Sequence, residues 1–99
     1  MKKDKFKTDV IFRHFRGDII ALFPHMPCNY EGDVTSYEHM GQHSNADYSW
    51  VVYNSKPINK PENLDLYSEL NSLGYNLNVV KKQNYNKYLT ELNHIRKTA

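Results

Sequence analysis

Apolar residues fall along this chain in two rhythms, and the first is a series of short β-branched and aromatic runs. Residues 9–15 read Asp-Val-Ile-Phe-Arg-His-Phe and residues 18–23 read Asp-Ile-Ile-Ala-Leu-Phe. Both are too short for a stable helix and rich in side chains that suit a pleated sheet. Arg16 and Gly17 separate them, and Gly17 is free to take the positive φ of a tight hairpin turn. The second run lacks polar alternation, which predicts a central strand covered on both faces. Residues 24–33 are expected to form a loop, because Pro24 and Pro27 cannot donate to a strand ladder. Strand chemistry resumes over residues 34–40. After a turn-like Ser44-Asn45-Ala46-Asp47 it returns over residues 48–53, Tyr-Ser-Trp-Val-Val-Tyr.

The second rhythm has the helical period. Leu66, Tyr67, Leu70 and Leu73 make one stripe in a helix predicted to start near Asn59, with Asn59 as N-cap, Pro61 in the first turn and Glu62 complementing the helix dipole. Gly74 is placed to close that helix from the left-handed region. Residues 75–80 alternate as a half-buried strand. Tyr85, Tyr88, Leu89, Leu92 and Ile95 line one face of a last helix of about four turns. The order β-β-β-β-α-β-α predicts a small single α+β domain with an antiparallel sheet of about five strands and two helices. Residues 1–7 read as a flexible basic lead-in and residues 8–99 as the domain, ending in a basic helix.

Length and composition narrow the picture. A chain of 99 residues with 39% hydrophobic and 13% aromatic content has a thin core, since a domain of this size buries only about 60 to 65% of its unfolded surface. Eight tyrosines supply apolar bodies with polar tips, and a homo-oligomer is the expected way to complete such a core. The net charge of +2 hides an acidic body between basic ends. Residues 8–80 hold four basic and nine acidic side chains, whereas residues 81–99 carry Lys81, Lys82, Lys87, Arg96 and Lys97 against Glu91. That distribution weighs against a nucleic-acid face on the body of the domain. Cys28 is the one cysteine, so no intrachain disulfide forms. No apolar run approaches the roughly 18 residues of a membrane span, and a cytoplasmic location is expected.

One pattern carries a resemblance. Val10-Ile11-Phe12-Arg13, Gly17-Asp18-Ile19-Ile20-Ala21-Leu22-Phe23-Pro24, Ser36-Tyr37, His39 with Gly41-Gln42-His43, and Gly74-Tyr75-Asn76-Leu77 together resemble a family of small uncharacterised proteins of bacteria, phages and mobile elements. The likeness covers roughly residues 9–82. It implies a phage or mobile-element setting and no particular chemistry.

The densest chemistry lies at mid-chain, in residues 37–48. Tyr37, His39, Gln42, His43 and Tyr48 there are the candidate ligand-binding residues, joined by Arg13 and Arg16 at the first hairpin turn. Arginine offers a bidentate fork for phosphate, the aromatic rings of Tyr37, Tyr48 and Trp50 suit a base, and Gln42 suits its edge. No Walker motif, G-x-G-x-x-G or G-x-S-x-G is present. The expected function is therefore non-enzymatic capture of a small anionic or nucleotide-like ligand, with antagonism of a host defence signal as the role that the resemblance suggests. Two alternatives stand beside it. One is an interaction module that inhibits a host complex through the basic C-terminal helix. The other is a zinc-binding protein or zinc-dependent hydrolase using His39 and His43, with His25 and Cys28 as further donors. Cys28 with a histidine, or His39 and His43 with Glu38 or Asp47, would be needed for catalysis. No cofactor is expected. The bend is decisive: on one strand His39 and His43 stand about 13 Å apart, so joint chelation needs a sharp turn near Gly41.

Overall fold

A computed structural model describes residues 7–38 and 42–98, with Gln42 by its backbone alone. The expected lead-in, apart from Lys7, lies outside the described residues, as do His39, Met40 and Gly41. Strand β1 (Thr8–Phe15) pairs with β2 (Asp18–Pro27) in an antiparallel hairpin. Its two turn residues, Arg16 (φ 54°) and Gly17 (φ 77°), both take positive φ, the type I′ geometry that matches the twist of paired strands. Strand β3 (Val34–Glu38) pairs antiparallel with β2, and β4 (Gln42–Ala46) pairs antiparallel with β3. A two-residue strand, β5 (Lys56–Pro57), and a three-residue strand, β6 (Leu77–Val79), share the far edge of β1, the first antiparallel and the second parallel. The sheet runs β4-β3-β2-β1-β5, with β6 on β1.

Side chains alternate across the sheet and sort into two apolar layers. On one face Val10, Phe12, Ala21, Phe23 and Tyr37 meet Leu66 and Leu70 of helix α2 (Asp65–Ser72). On the other, Ile11, Ile20, Leu22, Val34 and Ala46 meet Val51 of helix α1 (Tyr48–Tyr53), with Tyr88 of helix α3 (Tyr85–Thr98) packed against them. The expected α+β layout is present, and a Cα radius of gyration of 13.1 Å matches a compact chain of this length. The parallel β1–β6 pair makes the sheet mixed rather than wholly antiparallel.

Several boundaries differ from the sequence reading. Residues 48–53 form α1, not a strand, because Asp47 caps them: its carboxylate accepts from the Trp50 N–H at 3.1 Å. Tyr48, Val51 and Val52 then fall on one side, toward the core. The fourth strand is instead the polar β4, which the expected turn at 44–47 overlapped. Residues 24–27 are not loop but the end of β2. A bulge between Phe23 and Pro27 lets Pro27 pair with Val34, so the prolines sit where the ladder is already irregular. Asn59 does not cap a helix; a 3-10 turn at Pro61–Asn63 intervenes and α2 begins at Asp65. The C-terminal stop is as expected. Gly74 (φ 106°) donates to Asn71 O at 3.0 Å and Tyr75 N–H to Leu70 O at 3.3 Å, the paired bonds of a Schellman motif. In α3, Leu92 is buried but Tyr85 is 62% exposed, so the apolar stripe effectively starts at Tyr88.

Candidate functional site

The mid-chain segment is a hairpin. Its last β3–β4 pair joins Glu38 to Gln42. That register sets Tyr37 beside His43, with ring centroids 4.7 Å apart, edge to face. Tyr37 is only 2% exposed, and its hydroxyl donates to the Glu69 carboxylate of α2. This bond to a carboxylate, with burial second, pushes the Tyr37 phenol up to about 12. Tyr37 is thus held protonated as a donor and is unsuited to act as a base near neutrality. His43 Nε2 lies 3.0 Å from the Tyr75 hydroxyl, and the Tyr75 ring stacks on Phe23 at 5.2 Å. The result is a polar belt tying β3, β4 and α2 to the segment before β6.

Arg13, Arg16 and Tyr48 stand on the opposite face. Residues 11, 13 and 15 of β1 alternate away from Phe12, and there the Arg13 guanidinium meets the end of α1. It donates from Nε to Ser55 Oγ at 2.8 Å and from Nη2 to the Val52 and Ser55 carbonyls at 3.1 and 3.0 Å. The Val52 carbonyl also accepts from the Ser55 N–H at 3.4 Å and the Ser55 hydroxyl at 3.3 Å, so Arg13 joins a cluster that closes the end of α1. Arg16 stacks between Phe15 (4.9 Å) and Trp50 (5.1 Å). The Tyr48 hydroxyl accepts from Gln83 N–H at 2.8 Å, ahead of α3. The five candidate side chains that the structure describes do not gather at one place: Tyr37 and His43 share a face, and Arg13, Arg16 and Tyr48 share the other; His39 and the Gln42 side chain lie outside the described residues. Strand alternation sets Arg13 apart from Tyr37 and His43, and Arg16 and Tyr48 follow α1, which packs on the Arg13 face.

The second polar centre, around Asp9 and His25, was foreshadowed only by His25. The Asp9 carboxylate gathers Lys87 Nζ (2.7 Å), Asn78 Nδ2 (2.8 Å) and His25 Nδ1 (2.9 Å). Burial acts to raise its pKa, but these donors outweigh it and hold the carboxyl below the usual range. On the far side of the ring, His25 Nε2 accepts from the Asn84 backbone N–H at 2.8 Å. That bond assigns the Nδ1 proton toward Asp9. Asn84 in turn accepts from Lys87 N–H at 3.2 Å, so the cluster is the anchor and N-cap of α3. Both His25 nitrogens are engaged. The Cys28 thiol donates to Asp33 O at 3.3 Å, and burial, with Asp33 nearby, pushes its pKa up, the reverse of an activated thiolate. Among the described residues, no group of three or more His, Cys, Asp and Glu is placed to hold a metal ion. No described helix is long and apolar enough to cross a membrane.

Helix α3, the expected partner-binding element, is itself docked. Its Tyr88 hydroxyl donates to Gly32 O at 2.6 Å, and Arg96 Nε donates to Tyr30 O at 3.1 Å. With Lys87 held by Asp9, two of its basic side chains face the protein's own body.

What the sequence reading did not locate is a groove of about 600 Å³ at the far edge of β1, between β5 and β6. Ile58 and Val79 supply apolar wall, while Arg13, Lys60 and Lys81 border it against a single acid, Glu62. Lys60 holds φ at 54°, a conformation uncommon for a lysine and unrelated to any hairpin turn. The only sequence signal for it was the Lys-Pro-Ile-Asn-Lys-Pro tract, whose two prolines keep the connection from forming a longer strand or helix. Comparison of the chain with protein-family models, with curated protein sequences and with solved structures finds no match.

Proposed function

We propose that the protein is a non-enzymatic binding protein for a small anionic, nucleotide-like ligand, held in the groove between β5 and β6. The observation that carries this is the groove itself. Its volume falls in the range of ligand sites, and it combines an apolar wall with three cations against one carboxylate. Lys60 and Lys81 take the roles first assigned to Arg16 and His43, while Arg13, whose guanidinium is bonded to Ser55 and Val52, contributes its charge to the wall rather than a free fork. The strained Lys60 backbone supports it, since a residue held in a sparsely populated region is a common companion of binding sites. A phage or mobile-element setting, with the ligand a host defence signal, extends this reading and draws on the sequence resemblance alone.

Thermal denaturation against nucleotides and inorganic phosphates tests it. A ligand at 100-fold over its Kd adds about 2.7 kcal/mol to stability. The double substitution Lys60→Ala and Lys81→Ala, both at exposed positions, should abolish the shift, whereas Tyr37→Phe should leave it. A panel that produces no shift ends the proposal.

The interaction-module reading keeps one specific support, on α1 rather than α3. Tyr53 is 88% and Trp50 47% exposed, beside the Arg16 stack, and Trp, Tyr and Arg dominate interface hot spots. Replacing Trp50 and Tyr53 with alanine should remove partner binding and leave the groove's ligand shift unchanged.

A further inference from the structure

We propose that the protein forms a two-fold dimer by antiparallel pairing of β4 with β4 of a second copy, extending the sheet across the pair. The argument follows the hydrogen-bond directions along the sheet. A two-residue turn makes Phe15 and Asp18 a hydrogen-bonded pair, and such pairs alternate along an antiparallel ladder. Ile11, Arg13 and Phe15 therefore bond to β2, and Thr8 and Val10 point the other way. The outer bonds agree: Thr8 N–H reaches Asn76 O at 2.7 Å, and Val80 N–H reaches Val10 O at 2.9 Å. Carried through the registers of β2 and β3, the same alternation turns Gln42, Ser44 and Ala46 toward β3. His43 and Asn45 direct their N–H and C=O groups away from the sheet. Among the described residues those N–H groups meet no acceptor, and residues 43–45 are exposed.

An open edge of this kind is a template for another strand, and proteins usually guard it with proline, lysine, a bulge or a covering element. The β1 edge is guarded in that way, by β5 with Lys56 and Pro57 and by β6. Strand β4 has no such device. Its sequence Gln-His-Ser-Asn-Ala carries no proline and no Asp, Glu, Lys or Arg, and its register on β3 is unbroken. A second copy fits because the edge is self-complementary. With the two-fold axis at Ser44, His43 faces Asn45 of the other copy and each such pair exchanges two bonds, giving four in all. Like strands of this composition meet without charge repulsion, and the small Ser44 side chains meet at the axis. A five-residue ladder alone buries less than the roughly 1,200 Å² of a stable interface, so the dimer is expected to be weak and concentration dependent. This inference is independent of the groove and its ligand.

Sedimentation velocity across about 5 to 500 μM, a range bracketing the affinity of a small interface, should show a monomer–dimer equilibrium. Amide exchange should show His43 and Asn45 gaining protection with concentration, while Ser44 and Ala46 do not change. Ser44→Lys, at an exposed position, sets two introduced lysines opposite each other at the axis and should give a monomer at every concentration with unchanged thermal stability. Mixing it with Ser44→Glu should restore the dimer, as heterodimer only, because opposite charges then meet. Asn45→Pro removes the outward N–H alone and should also give a folded monomer. A wild-type protein monomeric throughout, or a dimer that survives Ser44→Lys, overturns the proposal. Should Asn45→Pro fail to fold, the Ser44 pair still decides it.

Discussion

The two faces of the sheet bury polar groups on different principles. On the α2 face the belt from Glu69 through Tyr37 and His43 to Tyr75 consists, beyond the Glu69 carboxylate, of aromatic rings that carry most of their bulk as apolar surface. On the α1 and α3 face the work is done by compact groups with several bonds each: Arg13 makes three, Asp9 three, and His25 bridges two elements. The difference follows from what each face must hold. Helix α2 is fastened largely by Leu66 and Leu70. Helix α1 is six residues long and α3 is polar over most of its surface, with one fully buried leucine. Short or polar helices bury little apolar area, so directional bonds must supply what packing does not.

The largest expected effect tests that contrast directly. His25→Ala removes a buried ring, a bond to Asp9 and the acceptor for Asn84 N–H, and should cost about 2 to 4 kcal/mol. Chemical denaturation measures the loss, and amide exchange should place the first opening at the start of α3. A loss under 1 kcal/mol would mean that α3 is held by packing after all, and the contrast between the faces would disappear.

Tyr37→Phe is the counterpart on the other face. It keeps the ring against His43 and deletes only the bond to Glu69, for about 1.5 to 3 kcal/mol as a bond to a charged group. The two faces also respond to pH at opposite ends. The folded Tyr37 phenol lies near 12, above its ordinary value of about 10. Its contribution is therefore complete below about pH 10 and is lost as pH rises toward 12. Ultraviolet titration should show one tyrosine ionising last, and Tyr37→Phe should remove that step. Asp9 is held below the ordinary carboxylate value, near 3.9. Its contribution is present above that value and is lost as pH falls through the lowered one. Acid unfolding should accordingly loosen α3 first, and Asp9→Asn should flatten that limb of the profile.

The sequence carried the backbone rules of this fold better than its tertiary choices. The turn at Arg16-Gly17 and the stop at Gly74 were legible because each requires a local conformation that few residues adopt. The helix at 48–53 was present in the sequence as an Asp N-cap followed by apolar residues at 48, 51 and 52, but five β-branched and aromatic side chains outweighed that signal in a local reading. The strand β4 had no apolar pattern at all; pairing to β3 makes it a strand. The candidate site failed to converge for a related reason. Proximity along the chain placed Tyr37 near Tyr48, but Tyr37 points from β3 toward α2 while Tyr48 opens α1, which packs on the other face of the sheet. The groove was invisible because its walls come from β1, the 57–62 connection and the end of β6, segments distant in sequence.

The smallest effect separates structure from interaction on the α1 face. Arg16 lies over Phe15 and Trp50 and is exposed. A cation over aromatic rings at such a site contributes about 0.5 to 1 kcal/mol, so Arg16→Ala should lower stability by no more than that. Arg16 also holds positive φ in the turn, where alanine pays a similar steric cost and Arg16→Gly relieves it. The Ala and Gly variants lose the same side chain, so their difference reads the turn and their shared loss reads the stack. If Arg16→Ala matches the wild type in stability, the stack adds little to the fold. The Arg16, Trp50 and Tyr53 surface would then be retained for contact with something outside the chain, in contrast to Arg13 three residues away, whose bonds all close within it.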